Sequence, residues 1–383
     1  MKKGEFMVQK IAIIGGGIVG STAAYYLTRA GYKVTVFDKD EGQATRASAG
    51  IICPWFSLRR NKPWYFLVSK GAEFYHQFMQ DLKDDGYDTD AIYQIDGAVM
   101  IRNTDKRVQK DLDQAAEKRL ASPSIGDVHK ISAEEVSDFL PLIESQKPAT
   151  WVQGGGRVHG DALIDTLHQA IKDSGGEIIS ENAQLKQQGG DIIISTSTIA
   201  SQQFDRLLLS PGPGLPALLE PLGYKVDIQA QKGQLFVIKN KDWVNKHWPV
   251  VMPTGQGDII PFNNGEIIIG ATHENEQGNN LDVDLSVLND LRDEASQWMP
   301  SLKDYDIIES KVGTRAHTSD FSVLVGAVPN LKNVWAISGL GSSGLTSGPF
   351  LGYQWAQLIQ NNSWEIDNNS FPIENYISAE TST

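Results

Sequence analysis

Only one cysteine, Cys53, occurs in 383 residues. An intramolecular disulfide is therefore excluded, and so is a structural zinc site built on thiolates. No apolar run is long enough to span a bilayer, so no integral membrane segment is expected. The stretch after the charged start Met1-Lys2-Lys3-Gly4-Glu5-Phe6 is short and runs into a glycine turn, unlike a secretory leader; Met7 is an alternative first residue. Positive charge is scarce: 34 Lys and Arg stand against 47 Asp and Glu, a net charge of −13. Such a surface repels phosphate backbones and anionic lipid, so no nucleic-acid partner is expected. Ser–His–Asp and metal-ligand constellations are lacking, and neither hydrolysis nor a bound metal is expected. Internal repeats and low-complexity tracts are also missing. What is there is globular, with 40% apolar and 21% charged residues. The length predicts roughly two domains, and the cytoplasm is the default location.

The most informative segment lies near the start. Lys10–Ile14 (KIAII) is a short apolar run that reads as a buried parallel strand. Gly15, Gly16, Gly17, Ile18, Val19 and Gly20 follow, then Ala23, Ala24 and Leu27 at helical spacing up to Gly31. A second strand, Lys33–Phe37, ends at Asp38. Strand, GxGxxG turn, helix, strand and acid together form a dinucleotide-binding unit. Gly15 permits the turn, Gly17 lets a pyrophosphate approach the backbone, and Gly20 lets the helix pack on the strand. The helix N-terminus supplies free N–H groups and a positive dipole end. Asp38, 18 residues after Gly20, suits ribose hydroxyls and would repel a 2′-phosphate, which argues against NADP. FAD and NAD both remain open on this unit.

Farther along, Lys62–Leu82, Gly160–Ser174, Asp282–Trp298 and Leu345–Ile359 carry helical patterns, and Ser132–Phe139 opens with a Ser132/Glu135 capping box. Strand patterns occupy Tyr93–Ile101, Glu177–Ser180, Phe204–Leu209, Lys225–Ile238, Asp258–Gly270 and Asn333–Ser338. The loop Gln43–Gly50 is rich in small and hydroxyl residues and can lie against a phosphate and a ring. Gly339, Gly341 and Gly344 precede the last helix and allow a backbone to lie flat against a ring edge. His159 and His317 read as structural or solvated, and Cys53 as a free thiol.

Several separated segments, in order, resemble the D-amino-acid oxidase-like family of FAD-dependent oxidoreductases over nearly the whole chain. They are IAIIGGGIVG with FDKD, ATRASAGI, GRVHGDALIDTLHQAIKDSGGEII, DRLLLSPGPG, QKGQLFVI, IIPFNNGEIIIGAT and the long stretch from Gly313 to Pro349. The resemblance implies an α/β fold: a Rossmann-like FAD-binding domain from residues 1–88, 150–222 and 306–383, with a discontinuous α+β substrate domain from 89–149 and 223–305 on a mixed or antiparallel sheet. It implies non-covalent FAD held by Gly15, Gly17, Ile18, Val19, Gly20, Asp38 and Lys39, by Thr45, Ser48, Ala49, Gly50 and Ile51, by Gly212, and by Gly339, Gly341, Ser342, Gly344, Leu345 and Thr346. Arg315 is implied as the anchor of a substrate carboxylate. The expected activity is oxidation of a small amino acid or secondary amine by hydride transfer, giving an imine that hydrolyses. Oxygen or a quinone-like carrier would be the electron acceptor, and a homo-oligomer is consistent with the family. Against this stand an NAD-dependent dehydrogenase and an FAD protein with a structural or sensing role. The chain departs from the family pattern at Ser210-Pro211-Gly212, where Ala-Thr-Gly or Ala-Ala-Gly is usual, and at Ala316-His317, where Pro usually follows the arginine. Both departures bear on the substrate more than on the cofactor.

Overall fold

The computed structural model describes residues 9–57 and 59–379; the readings made on Met1–Phe6 and Met7 lie outside them. Two sheets organise the chain. The first has six strands in the order Leu324–Ala327, Val334–Ser338, Arg206–Leu209, Lys10–Ile14, Lys33–Phe37 and Glu177–Ile179. All neighbours are parallel except the antiparallel edge pair at Leu324–Ala327. Ile11 and Ile13 are fully buried, as expected for parallel strands covered on both faces. Helices Ile18–Arg29, Lys62–Asp84, Gly160–Asp173 and Gly344–Asn361 accompany this sheet. Glycines let them come close: a Cβ at Gly352 would run into the Val19 carbonyl, and one at Gly71 into the Thr346 carbonyl. Leu163, Leu167 and Ile171 form the buried stripe of the third helix, each contributing about 1.5–3 kcal/mol of apolar burial.

The second sheet has eight strands: Glu309–His317, Gln229–Val244, Asn264–Gly270, Asp258–Pro261, Val250–Met252, Ala98–Ile101, Ala149–Val152 and Val128–Ile131. It is mixed, because Val250–Met252 pairs parallel to Ala98–Ile101 while the other pairs are antiparallel. Gln229–Val244 lies here and not beside Lys10–Ile14. Glu309–His317, numbered within the range expected for the cofactor-binding domain, is also hydrogen-bonded into this sheet.

Four elements differ from the sequence reading. Tyr93–Ile101 is two strands in different sheets, because Gly97 turns the chain at φ 87° between Tyr93–Gln94 and Ala98–Ile101. The expected helix Ser132–Phe139 shrinks at its start to Val136–Phe139; Ser132 N–H does donate to the Glu135 carboxylate at 2.7 Å, but residues 133–135 form a turn and not the first helical turn. Lys225–Ile238 is interrupted after Val226, and its second strand continues to Val244. Asp258–Gly270 is a hairpin whose turn requires Gly265 at φ 84°.

Candidate active site

One cavity of about 1140 Å³ runs between the ends of the parallel strands and one face of the eight-stranded sheet. Its first wall is the glycine turn. Gly15 adopts φ 102° and donates to the Phe37 carbonyl at 2.9 Å, and a Cβ there would strike the Ser210 carbonyl. Only glycine satisfies both demands. Gly17 opens onto free space; the atom nearest to a Cβ would be Thr45 Oγ1 at 3.6 Å. The following helix has no acidic residue in its first turn and no side-chain cap from Gly17. A helix start so left open, beside a backbone bare of side chains, fits a pyrophosphate. Gly16 N–H and Asp40 N–H donate to the two Asp38 oxygens, which fixes the carboxylate at the cavity edge.

The loop Gln43–Gly50 closes the same wall. Ile18 N–H donates to Thr45 Oγ1 at 3.2 Å, and Ser48 Oγ donates to the Thr45 carbonyl at 2.7 Å. Gly50, at φ 88°, packs on the Val158 carbonyl. At the far end, Gly339 and Gly341 take φ 74° and 56° before the helix Gly344–Asn361, which also lacks an acid in its first turn. A second helix N-terminus therefore faces the cavity and favours negative charge there. Gly212 sits at φ 57° on the turn after Arg206–Leu209. All the residues expected at the cofactor line this cavity except Gly20. Gly20 acts one layer back: a Cβ there would overlap the Gly15 carbonyl, so it sets the helix-to-strand distance. The open cradle, the fixed acid and two helix starts suit an FAD molecule. His168, which the sequence reading did not single out, supports the turn from behind, its Nε2 3.2 Å from the Gly16 carbonyl and 3.1 Å from Ser21 Oγ. Burial lowers its pKa.

The opposite wall is a face of the eight-stranded sheet, lined by Gly313, Arg315, Gly233, Gly270, Asp258, Met252 and Met100. The Arg315 guanidinium lies over Gly233, where a Cβ would come within 2.6 Å of Nη1. Nη1 donates to the Thr272 carbonyl at 2.8 Å and to Gln231 Oε1 at 3.3 Å. No carboxylate forms an ion pair with Arg315 among the described residues. Burial pushes its pKa down to about 10, with Glu274 opposing, so it remains cationic at neutral pH. His273 shares the cavity; burial and the Arg315 charge push it down to about 4, leaving it neutral.

His317 and His159 stay off the lining. His317 stacks on Phe321 with ring centroids 4.7 Å apart, and His159 caps the helix Gly160–Asp173 by accepting from Ala162 N–H. Cys53 does line the cavity, but burial pushes its thiol up to about 12 and keeps it protonated, a poor nucleophile. Asp258, also missed from the sequence, is a half-buried carboxyl on this wall that no hydrogen bond or ion pair engages among the described residues. No group of His, Cys, Asp and Glu among the described residues is placed to hold a metal. Among the described residues, no helix is long and apolar enough to cross a membrane.

Comparison with known proteins agrees with this geometry. Residues 10–358 match the family model described as FAD dependent oxidoreductase. The chain is 38% identical over 360 residues to the uncharacterized oxidoreductase YurR of Bacillus subtilis (strain 168), covering 93% of this chain and 96% of that one. It is 24% identical over 352 residues to a glycine oxidase of Pseudomonas aeruginosa, covering 90% and 92%. Among solved structures, iminodiacetate oxidase from Chelativorans sp. BNC1 superposes with a TM-score of 0.89 at 28% identity, covering 94% of this chain and 98% of that one.

Proposed function

The chain belongs to the family of FAD-dependent oxidoreductases, and from that premise we propose that it oxidises a small amino acid or secondary amine at the carbon next to nitrogen. The observation that carries this reading is Arg315: a cation on the cavity wall, held in place by the Thr272 carbonyl and Gln231 and paired with no carboxylate among the described residues. A guanidinium so placed accepts a substrate carboxylate through two parallel hydrogen bonds and fixes its orientation as well as its charge. Bound FAD supplies the hydride acceptor, a role no side chain in the cavity can fill. The chain's own contribution is binding and alignment. Arg315 sets the carboxylate, and the Met100 and Met252 side chains provide an adaptable apolar wall. The N-terminus of Gly344–Asn361 offers a positive dipole end to negative charge. The product is an imine, which water hydrolyses.

The cofactor is proposed to rest on Gly15, Gly17–Val19, Asp38–Lys39, Thr45, Ser48–Ile51, Gly212 and Gly339–Thr346. The division into 1–88, 150–222 and 306–383 against 89–149 and 223–305 is carried forward with this reading; Arg315 then reaches the substrate from a strand hydrogen-bonded into the second unit's sheet. Oxygen or a quinone-like carrier takes the electrons onward, and the lone cysteine suits a reducing cytoplasm. Glycine, sarcosine, proline, iminodiacetate and D-amino acids are the panel to test. Anaerobic bleaching of the flavin band at about 450 nm by one of them is the expected result. Failure of every amino acid and amine to bleach it refutes the reading.

A further inference from the structure

Four carboxylates line the cavity: Asp38, Glu41, Glu181 and Asp258. Three are occupied. Asp38 accepts from Gly16 and Asp40 N–H, Glu41 pairs with Lys39, and Glu181 accepts from Ser197 and Thr198. Asp258 alone has no partner among the described residues. It sits on the sheet face that carries Arg315, its register partner being Gly270. The strand it occupies lies two places from the one beneath the Arg315 guanidinium, roughly 10 Å away at ordinary strand spacing. Both groups face the same cavity, so one ligand carrying a carboxylate and an amino group can approach both from within it.

Resting on the proposed oxidation of an amino acid, we propose that Asp258 is the proton acceptor for the substrate's ammonium group. As the substrate seats, one N–H bond breaks and its proton moves to an Asp258 oxygen. The electron pair of that bond stays on nitrogen as the lone pair that expels the hydride. Asp258, mostly protonated at neutral pH, first gives its own proton to solvent; ammonium and carboxylate then become amine and carboxylic acid, so one proton is released overall and no electron is lost. The proton leaves Asp258 when the product does.

The surroundings suit this role. Burial, reinforced by the Glu294 carboxylate on helix Leu285–Ala295, pushes the Asp258 pKa up to about 8, much nearer to that of an amine than an ordinary carboxylate is. Cys53, on the loop after Ile51–Ile52, lines the same cavity and remains a neutral thiol; Arg102 also lines it and is paired with Asp111. His273, the other base on the lining, is too weak to keep an ammonium proton. A base works best when its pKa lies close to that of its task.

The test uses the FAD-loaded enzyme and two substrates whose ammonium groups differ in acidity. For wild type, kcat/KM should rise through the same pH, near 8, with both substrates. In Asp258→Asn the limb should move to each substrate's own ammonium ionisation, and the rate at pH 7 should fall by about 10²–10⁴-fold. Glu294 lies off the cavity lining and accepts from Gln256 N–H at 2.8 Å, a bond the amide oxygen of a glutamine can keep; Glu294→Gln should shift the wild-type limb toward acid. Calorimetry in buffers of different ionisation enthalpy adds a measurement that needs no turnover. Binding of an analogue without an α-hydrogen should release nearly one proton at pH 7 from wild type and none from Asp258→Asn. A wild-type limb left in place by both variants overturns the proposal while leaving the proposed oxidation standing. Absence of any amine-driven flavin reduction in wild type would remove that oxidation itself.

Discussion

Replacing Arg315 by alanine removes a cation from the cavity wall without touching the proposed cofactor cradle, the turns at Gly15–Gly17 and Gly339–Gly344 with Asp38. The Thr272 carbonyl and the Gln231 amide lose a donor, but the space the guanidinium leaves opens onto the cavity that Arg315 lines, so water can take its place. The main loss is therefore in substrate binding. A charge-assisted bidentate contact made away from bulk water contributes about 3 kcal/mol or more. That corresponds to roughly a hundredfold or more in kcat/KM for an amino acid. Arg315→Lys should recover only part, because an ammonium keeps the charge but not the planar fork that bridges two carboxylate oxygens. The assay is the rate of flavin reduction for wild type and both variants, with an amino acid and its decarboxylated amine side by side. FAD content, read from the visible band, should be the same in all three proteins. Equal losses on the two substrates would refute the reasoning, because a carboxylate anchor cannot matter to a ligand without a carboxylate.

Gly233→Ala should mimic Arg315→Lys, with FAD retained and amino-acid turnover reduced, since its Cβ would lie 2.6 Å from Arg315 Nη1; an unchanged kcat/KM counts against the packing argument. Gly17→Val should yield protein with little or no FAD, because a branched side chain fills the space left open for the pyrophosphate; normal flavin content in that variant sinks the cradle assignment. In the cofactor-free protein, Asp258's own contribution to stability should be lost as pH rises from about 4 to 8. Asp258 has a folded pKa of about 8, above its unfolded value, so its protonated form is favoured by folding, fully below the unfolded pKa and no longer above the folded one. Asp258→Asn should remove that dependence and raise the melting temperature at pH 8 but not at pH 4, measured by thermal denaturation at both.

The cofactor cradle was legible because its demands fall on backbone conformation. Gly15 at φ 102° and Gly50 at φ 88° tolerate no side chain, and the strand, turn and helix around Gly15–Gly20 leave a pattern of single residues in fixed order. Buried parallel strands such as Lys10–Ile14 and Arg206–Leu209 are also plain, since both faces must be apolar. The readings failed where a local turn outweighed a longer pattern. Tyr93–Ile101 alternates like a strand throughout, yet Gly97 sends its halves into different sheets. Ser132–Phe139 had half of its capping box, but residues 133–135 close into a turn and the helix starts only at Val136.

The substrate wall was far less legible, and the reason lies in register. Arg315, Gly233, Gly270, Asp258, Met252 and Met100 come from six strands that the chain visits out of spatial order. Nothing local distinguishes Asp258 from any acid at the start of a strand. Its character comes from the strands on either side, the Glu294 carboxylate behind it and the cavity in front. Gly233 likewise reads as a weak point in a strand until the guanidinium of a residue 82 positions later is seen lying across it. Arg315 was found because family resemblance singled it out, whereas its chemistry depends on what Gly233, Thr272 and Gln231 do around it. The same holds for the cation and the acid on this face. Arg315 is held by neutral partners, and Asp258, without a partner among the described residues, is kept mostly protonated at neutral pH by burial, so the two coexist without an ion pair. A ligand that brings a carboxylate to one and an amino group to the other engages both at once.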